Sequence, residues 1–399
     1  MNSFTSSSTT TIIITLLLIC FVFLNRFVEG TQKSCNVLDY GAKGDGRTLD
    51  TNAIQHAIAK CDTVLLPAEY KFLSAPFNLT SNQIFVVNGI LLATTDPSLW
   101  PVVAPLPSYP KPVENFGNMT LRYGAFIGIF NSKNITITGT GTIDGQGFIW
   151  WERSGRLPGH KDTLKHTRGR LIEPMYSSDI VIKGITILNA PFWTIHLYVC
   201  DNVLIEGVII AAPIYSRNTD CIDPDSSTNV YIRNCTLSGG DDQIAIKSGQ
   251  DKAGRLFGKP SINITVDNIR VPHGDGISIG SEMSGGIYNI VVKIITKLDP
   301  KKLFLVTKNI EKKLGRKKKK VNSPRICDID ILDYKGLNYK FSINNDKLII
   351  PHPRLHNRNF VLFPLFEIEK NWKHPLKKTK IHDLIGKLDN SSLYSIKQI

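Results

Sequence analysis

The sequence has few cysteines, no long hydrophobic span and only moderate charge. Seven cysteines are spread over 399 residues, and no two of them form a Cys-x-x-Cys pair, which argues against a structural zinc site. The longest apolar run has 14 residues, whereas a membrane-spanning helix needs roughly 20. Charged residues make up 21% of the chain and hydrophobic residues 42%, a balance that excludes a disordered chain and permits a sizeable core.

The 14-residue run, residues 11–24, has the length of the hydrophobic region of a secretory signal peptide. We therefore predict a cleaved signal over residues 1–30. The first ten residues lack Lys and Arg, so an uncleaved anchor remains the alternative. Six Asn-x-Ser/Thr sequons are consistent with secretion: Asn78, Asn118, Asn134, Asn234, Asn263 and Asn390. Removal of the signal leaves six cysteines, and we expect the disulfide pairs Cys35–Cys61 and Cys200–Cys235.

Glycine and acidic residues are both scarce in the last part of the chain. Residues 293–399 contain only three of the 30 glycines, and their 25 Lys and Arg against 10 Asp and Glu give a net charge of +15. Residues 1–292 have a net charge of −1, so the overall +14 does not indicate an evenly basic, nucleic-acid-binding protein. We predict a domain over residues 31–292 and an atypical basic tail over residues 293–399.

The segment after the signal predicts one helix and one strand. Asp50 and Thr51 precede a helical pattern with apolar residues on one face, and Thr51 is a candidate N-cap. That apolar face consists of Ala53, Ile54, Ala57 and Ile58. The residues Val64-Leu65-Leu66 before Pro67 are typical of a short buried strand.

Short apolar phrases recur between residues 131 and 292. Each phrase has a polar turn, alternating apolar residues, a Gly or Asn, and a second short apolar stretch. The leading apolar residues are Ile135, Ile180, Val203, Val230, Ile264 and Ile290. Their spacings of 45, 23, 27, 34 and 26 residues correspond to one or two units of about 22–27 residues with one loop insertion, which is typical of a solenoid.

The β-branched residues of these phrases favour an all-β fold, a right-handed parallel β-helix. The Leu-x-x-Leu-x-Leu pattern of a leucine-rich repeat is missing. An antiparallel β-sandwich remains an alternative, although the Asn-Gly and Asp-Gly hairpin turns that it needs are mostly absent. The repeat stops after Val292, so the C-terminal coils are expected to be missing or aberrant.

Two acidic clusters lie about one coil apart. Asp220 stands in the word NTDCIDPDS, and Asp241 and Asp242 follow Gly239-Gly240 in the word SGGDDQIAIKSG. The 21 residues between Asp220 and Asp241 place both clusters on one outer face, and the glycines can bend the chain so that both neighbouring carboxylates face one cleft. Clustered carboxylates raise one another's pKa, which allows one to act as an acid and another as a base in glycosidic hydrolysis. Turn formation or Ca²⁺ binding is the alternative.

These words, together with VLDYGAKGDGRTLDT at residues 37–51 and GISIGSEMSGGI at residues 276–287, resemble the polygalacturonases of glycoside hydrolase family 28, and most closely a plant branch. The resemblance implies hydrolysis of α-1,4-galacturonosyl bonds in pectin with inversion and without metal or organic cofactor. It implies that Asp241 is the general acid, that Asp220 and Asp242 activate water, and that Asn218 orients its neighbours or contacts sugar.

The sequence departs from the family pattern at two places. The family's Gly-His-Gly word is here Gly274-Asp275-Gly276, so Asp275 occupies the histidine position near the substrate. His273 lies two residues before it, on the same face if the segment is extended, and is a candidate catalytic residue. The alternative is a surface histidine.

The family's Arg-Ile-Lys word, which holds the substrate carboxylate, is missing. Lys247 is the best remaining candidate cation for this task, with Arg255 a weaker one. An exposed strand residue is the alternative for Lys247. A non-catalytic pectin-binding wall protein and a Ca²⁺-dependent pectin lyase are the alternatives for the chain.

The tail begins with KIITKLDP and contains KKKK at residues 317–320. We predict that it arises from a misplaced exon boundary or from translated non-coding sequence. Attraction of its basic residues to acidic pectin is an alternative, and nucleic-acid binding is disfavoured in a secreted chain. The expected protein is a secreted, extracellular or cell-wall monomer that binds homogalacturonan, with no nucleic acid and no membrane as partner.

Overall fold

A computed structural model describes residues 33–109, 121–154, 163–293, 298–313, 329–343 and 346–388. The predicted signal over residues 1–30, the sequons Asn118 and Asn390, and the KKKK run lie outside these residues. Within the described part, no helix is both long enough and apolar enough to cross a membrane.

Three parallel sheets run along the chain from Ser34 to Lys293. Sheet A contains β1 (Ser34–Asn36), β3 (Thr63–Leu66), β6 (Gln83–Val87), β11 (Lys133–Thr138), β14 (Ser178–Lys183), β17 (Asp201–Glu206), β20 (Thr228–Arg233), β23 (Ser261–Asp267) and β25 (Ile287–Lys293). Sheet B contains β2 (Asp45–Leu49), β4 (Lys71–Ser74), β7 (Ile90–Ala93), β12 (Thr142–Asp144), β15 (Thr186–Leu188), β18 (Ile209–Ala211) and β21 (Thr236–Ser238). Sheet C contains β5 (Phe77–Leu79), β10 (Ile127–Phe130), β13 (Ile172–Met175), β16 (Ile195–Tyr198), β19 (Ile222–Asp225), β22 (Ile244–Ile246) and β24 (Ile277–Ile279).

The remaining elements of the described residues are two antiparallel strand pairs and several helices. The antiparallel pairs are β8 (Val102–Val103) with β9 (Arg122–Tyr123) and β26 (Tyr339–Ile343) with β27 (Asp346–Ile350). The α-helices are α1 (Thr51–Lys60), α2 (Phe148–Arg153), α3 (Asp251–Phe257), α4 (Pro300–Lys313), α5 (Asn359–Ile368) and α6 (Ile381–Ile385). Three 3₁₀ helices cover Val37–Tyr40, Pro97–Leu99 and Leu355–Asn357.

The six leading apolar residues of the sequence repeat form one column in sheet A. Each pairs with the next in parallel register, from Ile135 with Ile180 to Ile264 with Ile290. The first five of them are fully buried in the core between the three sheets. The predicted parallel β-helix is therefore confirmed, and the antiparallel sandwich is excluded for this part of the chain.

The residue before each position of this column is Asn or Asp in the left-handed backbone conformation, a region that these two residues tolerate better than most. These residues are Asn134, Asp179, Asn202, Asn229, Asn263 and Asn289, with φ from 54° to 59°. Their side chains bond between coils, as from Asn263 Nδ2 to Asn229 Oδ1 at 3.0 Å and from Asn289 Nδ2 to Asn263 Oδ1 at 3.1 Å. The polar turn thus aligns neighbouring coils.

Helix α1 closes the N-terminal end with the predicted apolar face buried. Its N-cap is Asp50 rather than Thr51, so the predicted cap is wrong. The Asp50 carboxylate accepts hydrogen bonds from the Lys43 and Gly44 amides, and the Thr51 hydroxyl accepts one from the Ala75 amide. Both side chains therefore tie neighbouring loops together instead of capping the helix.

One of the two expected disulfides is present. Cys35 and Cys61 are joined across a sequence separation of 26 residues, as predicted. The expected pair Cys200–Cys235 is wrong, because both are buried free thiols. Strands β17 and β20 run in parallel register, and Cys200 precedes β17 while Cys235 follows β20, so the two thiols lie at opposite ends of this strand pair.

Replacing Cys35 with Ala is expected to lower the free energy of unfolding by about 2–4 kcal/mol, because the disulfide restricts the unfolded chain. Thermal unfolding under non-reducing conditions measures the change. Cys235→Ala is the matched control, and it loses only the packing of one buried thiol, about 1 kcal/mol. Equal losses in the two variants would contradict a stabilising role of the disulfide.

The solenoid ends at Lys293, and the described residues after it contain no strand that joins sheets A, B or C. This segment has two small apolar clusters of its own, one around Leu362 and Ile381 and one around Phe304 and Ile350. Helix α5, with the largely apolar sequence NFVLFPLFEI, lies against β23 and β25. The tail therefore covers part of the last coil.

Candidate active site

Sheet C brings the acidic residues together. Its parallel register aligns Ile172, Ile195, Ile222, Ile244 and Ile277 on successive strands. The residues two positions before these isoleucines therefore occupy equivalent places on successive coils, and they are Arg170, Trp193, Asp220, Asp242 and Asp275. The register thus aligns Asp220 with Asp242, whereas the 21-residue spacing predicts alignment with Asp241.

Asp220, Asp241 and Asp242 form one cluster, in which one carboxylate oxygen from each residue lies within 4.8 Å of the others. Asp241 and Asp242 lie in the bend before β22 rather than in a strand, so neighbouring residues can face the same side. The two preceding glycines are needed for space, because a Cβ at Gly239 would lie 2.6 Å from the Thr219 carbonyl oxygen and one at Gly240 2.3 Å from that of Ser216.

Asn218 holds Asp241 in place. Its backbone amide and its Nδ2 donate to Asp241 Oδ2 at 3.1 and 3.3 Å, and the Asp242 amide donates to Oδ1 at 3.0 Å. Asn218 itself adopts a left-handed φ of 58°, which turns its amide toward the carboxylate. The orienting role that the resemblance implies for Asn218 thus has a geometric basis here, and sugar contact stays a prediction.

Asp220 is buried beside a buried ammonium group. Lys247 Nζ lies 3.3 Å from Asp220 Oδ2, 3.7 Å from Asp223 Oδ1 and 2.9 Å from Glu282 Oε2. Burial raises the pKa of Asp220 to about 6, with Lys247 opposing this rise. Burial, and then the charge of Asp220, raises the pKa of Asp223 well above its usual value. Burial would also raise the pKa of Glu282, but Lys247 outweighs it and the pKa of Glu282 is lowered.

Asp242 has a different environment from Asp220. Its carboxylate accepts a hydrogen bond from the Ser278 hydroxyl and lies near Asp275, whose amide donates to the Asp241 carbonyl oxygen at 3.2 Å. Burial raises the pKa of Asp242, and the charges of Asp241 and Asp275 raise it further, whereas Ser278 and Lys247 lower it. Asp275 therefore adds negative charge to the cluster, as expected from its position in the sequence.

His273 does not take the place of the missing histidine in this structure. Its Nε2 lies 3.1 Å from the Ala212 carbonyl oxygen. Among the described residues, no hydrogen bond or ion pair joins His273 to the three carboxylates. The expectation that it shares a face with Asp275 required an extended segment, but Gly274 and Gly276 have φ of 121° and 96° and turn the chain.

Lys247 is not an exposed strand residue. Its side chain is 4% exposed, so the alternative of a solvent-facing lysine is wrong. Its ammonium group is engaged by three carboxylates, and its role as a ligand of the substrate carboxylate stays a prediction. Arg255 is exposed on α3.

Sequence reasoning missed a buried charged network beside the cluster. Glu173 forms ion pairs with Arg122 at 2.7 Å and with Arg170 at 3.5 Å, and the His196 ring nitrogens lie 3.0 Å from Glu173 and 3.1 Å from Asp225. All five side chains are buried. Glu173 and His196 lie one residue after Ile172 and Ile195, so counting from the aligned isoleucines is the signal that would have found them.

The cluster can divide acid and base roles between carboxyl groups. Asp220, Asp241 and Asp242 have different partners, and different environments separate the pKa values of neighbouring carboxyl groups. Inverting glycosidases hold the two carboxyl groups about 6.5–9.5 Å apart. The 4.8 Å here is the upper limit of the distance between one oxygen of each carboxylate, so it is not a separation between whole carboxyl groups. Oxygens at this distance are also within the range for holding a hard cation such as Ca²⁺.

Comparison with known proteins gives three family matches. The model of the glycosyl hydrolases family 28 matches residues 78–299, and that of rhamnogalacturonase A/epimerase, pectate lyase-like proteins matches residues 34–83. The model of 7,8-dihydro-6-hydroxymethylpterin-pyrophosphokinase matches residues 280–370. The last match covers part of the tail. The origin of the tail from a misplaced exon boundary or from translated non-coding sequence stays a prediction.

Individual relatives point in the same direction. A Vitis vinifera protein named "Probable polygalacturonase" is 40% identical over 67% of this chain and 55% of its own length. The solved exopolygalacturonase from Thermotoga maritima is 30% identical with a TM-score of 0.57 and covers 65% of each chain. The polygalacturonase from Erwinia carotovora is 28% identical with a TM-score of 0.54 and covers 66% of this chain and 68% of its own.

These comparisons confirm the right-handed parallel β-helix and the plant-type resemblance. The chain spans about half the length of the curated relatives it matches. The family 28 model covers more than half of this chain and includes all three clustered aspartates. The chain belongs to the glycosyl hydrolases of family 28.

Proposed function

We propose that this chain is a secreted hydrolase that cleaves α-1,4-galacturonosyl bonds of pectin with inversion. The observation that carries the proposal is the cluster of Asp220, Asp241 and Asp242, which the parallel register brings together at one place on the solenoid. Family membership and the names of the relatives support the reaction class.

In the proposed mechanism, Asp241 donates a proton to the glycosidic oxygen as the bond to the anomeric carbon breaks. Asp220 and Asp242 accept a proton from the water that attacks the opposite face of the sugar. Asn218 keeps Asp241 in position through two N–H donors. The pKa of Asp220 is about 6, so activity should fall as the pH drops through this value and Asp220 becomes protonated.

The rival proposal is a pectin-binding wall protein without catalysis, and it rests on the missing Arg-Ile-Lys word. The full chain on polygalacturonate is expected to release reducing ends in a time-dependent assay. Release above the level of a heat-treated sample supports hydrolysis. Folded, soluble protein that binds polygalacturonate but releases no reducing ends would favour the rival.

The products distinguish hydrolysis from Ca²⁺-dependent elimination. A lyase forms an unsaturated product that absorbs in the ultraviolet and loses activity with a chelator, whereas the proposed hydrolase does neither. Proton NMR at early reaction times is expected to show the β-anomer at the new reducing end, because inversion at an α-linkage forms it first. The α-anomer as first product would contradict an inverting mechanism.

The proposed substrate is homogalacturonan, and the proposed location is extracellular, in the cell wall. We also propose that the chain acts as a monomer, with neither nucleic acid nor a membrane as partner, as the sequence analysis predicts. The basic charge resides in the tail and not in the domain with the aspartate cluster, so an acidic substrate is proposed from the carboxylate site and the family, not from net charge.

A further inference from the structure

Lys247 lies directly beside the acidic cluster but is closed to solvent. It belongs to the bridge that continues β22, where its backbone pairs with Asp225 of the preceding coil. Its ammonium group lies 4.3 Å from the centre of the Trp193 ring and contacts carboxylates on its other sides. The ammonium group is therefore already occupied by Trp193, by two aspartates and by Glu282.

The Lys247 ammonium group is shared between carboxylates of two different coils. It lies 3.3 Å from Asp220 Oδ2 and 2.9 Å from Glu282 Oε2. The ion pair with Glu282 is also a hydrogen bond. Glu282 comes from the turn after β24, whereas Asp220 precedes β19, so the lysine connects two strands of sheet C that are not direct neighbours.

Other charged or titratable groups lie around Asp220, its neighbour Asp223 and Lys247. Asp241 and Asp242 before β22, Asp223 of β19 and Cys221 interact with Asp220, whereas Tyr109 after β8 and Arg170 before β13 interact with Asp223. Asp225 of β19 interacts with Tyr109. Most of these groups are acidic, and the only other cation among them, Arg170, is paired with Glu173. Lys247 is therefore the principal positive charge in contact with Asp220.

We propose that Lys247 is a positioning residue that keeps Asp220 ionised and fixes its orientation, and that Glu282 limits this effect by competing for the ammonium group. The proposal rests on the proposed function, because it assigns Asp220 the role of a base. It differs from the prediction that Lys247 holds the substrate.

The test uses two variants with expected effects of opposite sign. Lys247→Met removes the cation and is expected to raise the pKa of Asp220 by about 1–3 pH units. Glu282→Gln removes the competing negative charge, while its amide oxygen can still accept from Lys247, and the change is expected to lower the pKa of Asp220. A role of Lys247 in folding alone would predict no such opposite changes. Glu206→Gln is the control, since Glu206 is paired with Arg233 at 2.6 Å on β17 and its change should leave Asp220 unaffected.

NMR of the full chain with ¹³Cγ-labelled aspartate measures the pKa of Asp220 without substrate, and Asp220→Asn identifies the resonance. The low-pH limb of kcat/KM on polygalacturonate should move in the same directions. At pH values below the limb, kcat/KM should change about tenfold for each pH unit by which the limb moves. A protein without turnover would contradict the proposed function, while the NMR titration would still test the contact between Lys247 and Asp220.

Removal of Lys247 leaves buried carboxylates unpaired, so that variant is also made together with Glu282→Gln. If neither protein folds, Glu282→Gln alone decides the question. A lowered pKa of Asp220 in Glu282→Gln supports the proposal. An unchanged Asp220 titration in Glu282→Gln, or pKa changes of the same sign in both variants, would overturn it.

Discussion

Asp241→Asn is expected to lower the hydrolysis of polygalacturonate by about 10²–10⁴-fold, the usual contribution of a general acid. The amide cannot donate the proton that the leaving oxygen needs. The substitution keeps the shape of the side chain, and Oδ1 can still accept from the Asp242 amide. Initial rates measured as reducing ends, together with circular dichroism to confirm folding, test this expectation.

Asp251→Asn is the matched control, because Asp251 is exposed at the start of α3 and is outside the cluster. Its activity should equal that of the unchanged chain. Turnover of Asp241→Asn at the unchanged rate would end the assignment of Asp241 as the acid. A similar loss in Asp251→Asn would show that the assay responds to folding and not to the chemistry.

A chain that ends at Lys293 is expected to aggregate. Its last strand, β25, is already the edge strand of sheet A in the full chain. Without the tail, this edge and the half-buried side chains of Ile287, Ile290 and Val292 would lose the cover that α5 provides near this end. Solenoids require capped ends for solubility, and open strand edges pair with other chains. Size-exclusion chromatography with light scattering after expression measures the outcome.

A chain that ends at Leu388 is the control, since it keeps every described residue of the tail. It should remain soluble and elute at the size of the full chain. A monomeric, soluble protein ending at Lys293 would show that α5 is not needed as a cap. Replacement of the tail by further family 28 coils should restore solubility if the open end is the cause of aggregation.

The sequence was sufficient to predict the solenoid and its alignment. Ile135, Ile180, Val203, Val230, Ile264 and Ile290 were chosen by pattern alone, and the structure pairs each with the next. The prediction succeeded because a coil repeats the same physical requirement, one buried stripe after one polar turn. The acidic cluster followed from the same logic, since residues one coil apart become neighbours.

The details that the sequence did not show depend on loops and on contacts between coils. The turn at Gly274 and Gly276 directs His273 to Ala212, and local spacing contains no signal for this. The position of Lys247 between Asp220 and Glu282 can be predicted only when the three coils that carry these residues are placed together. The predicted disulfide between Cys200 and Cys235 is wrong because an even number of cysteines does not show at which end of a strand each cysteine lies.

The last coil boundary at Lys293 also has an evolutionary consequence. Each coil of a solenoid is stabilised by contacts with its neighbours alone, so a change of sequence that begins after β25 leaves the register of the earlier coils unchanged. In a closed barrel, replacing the sequence of the last strand would remove the pairing partner of the first strand. A recombination event between coils can therefore preserve the aspartate cluster while the rest of the chain is exchanged, which makes the boundary between coils a permissive point for gene fusion.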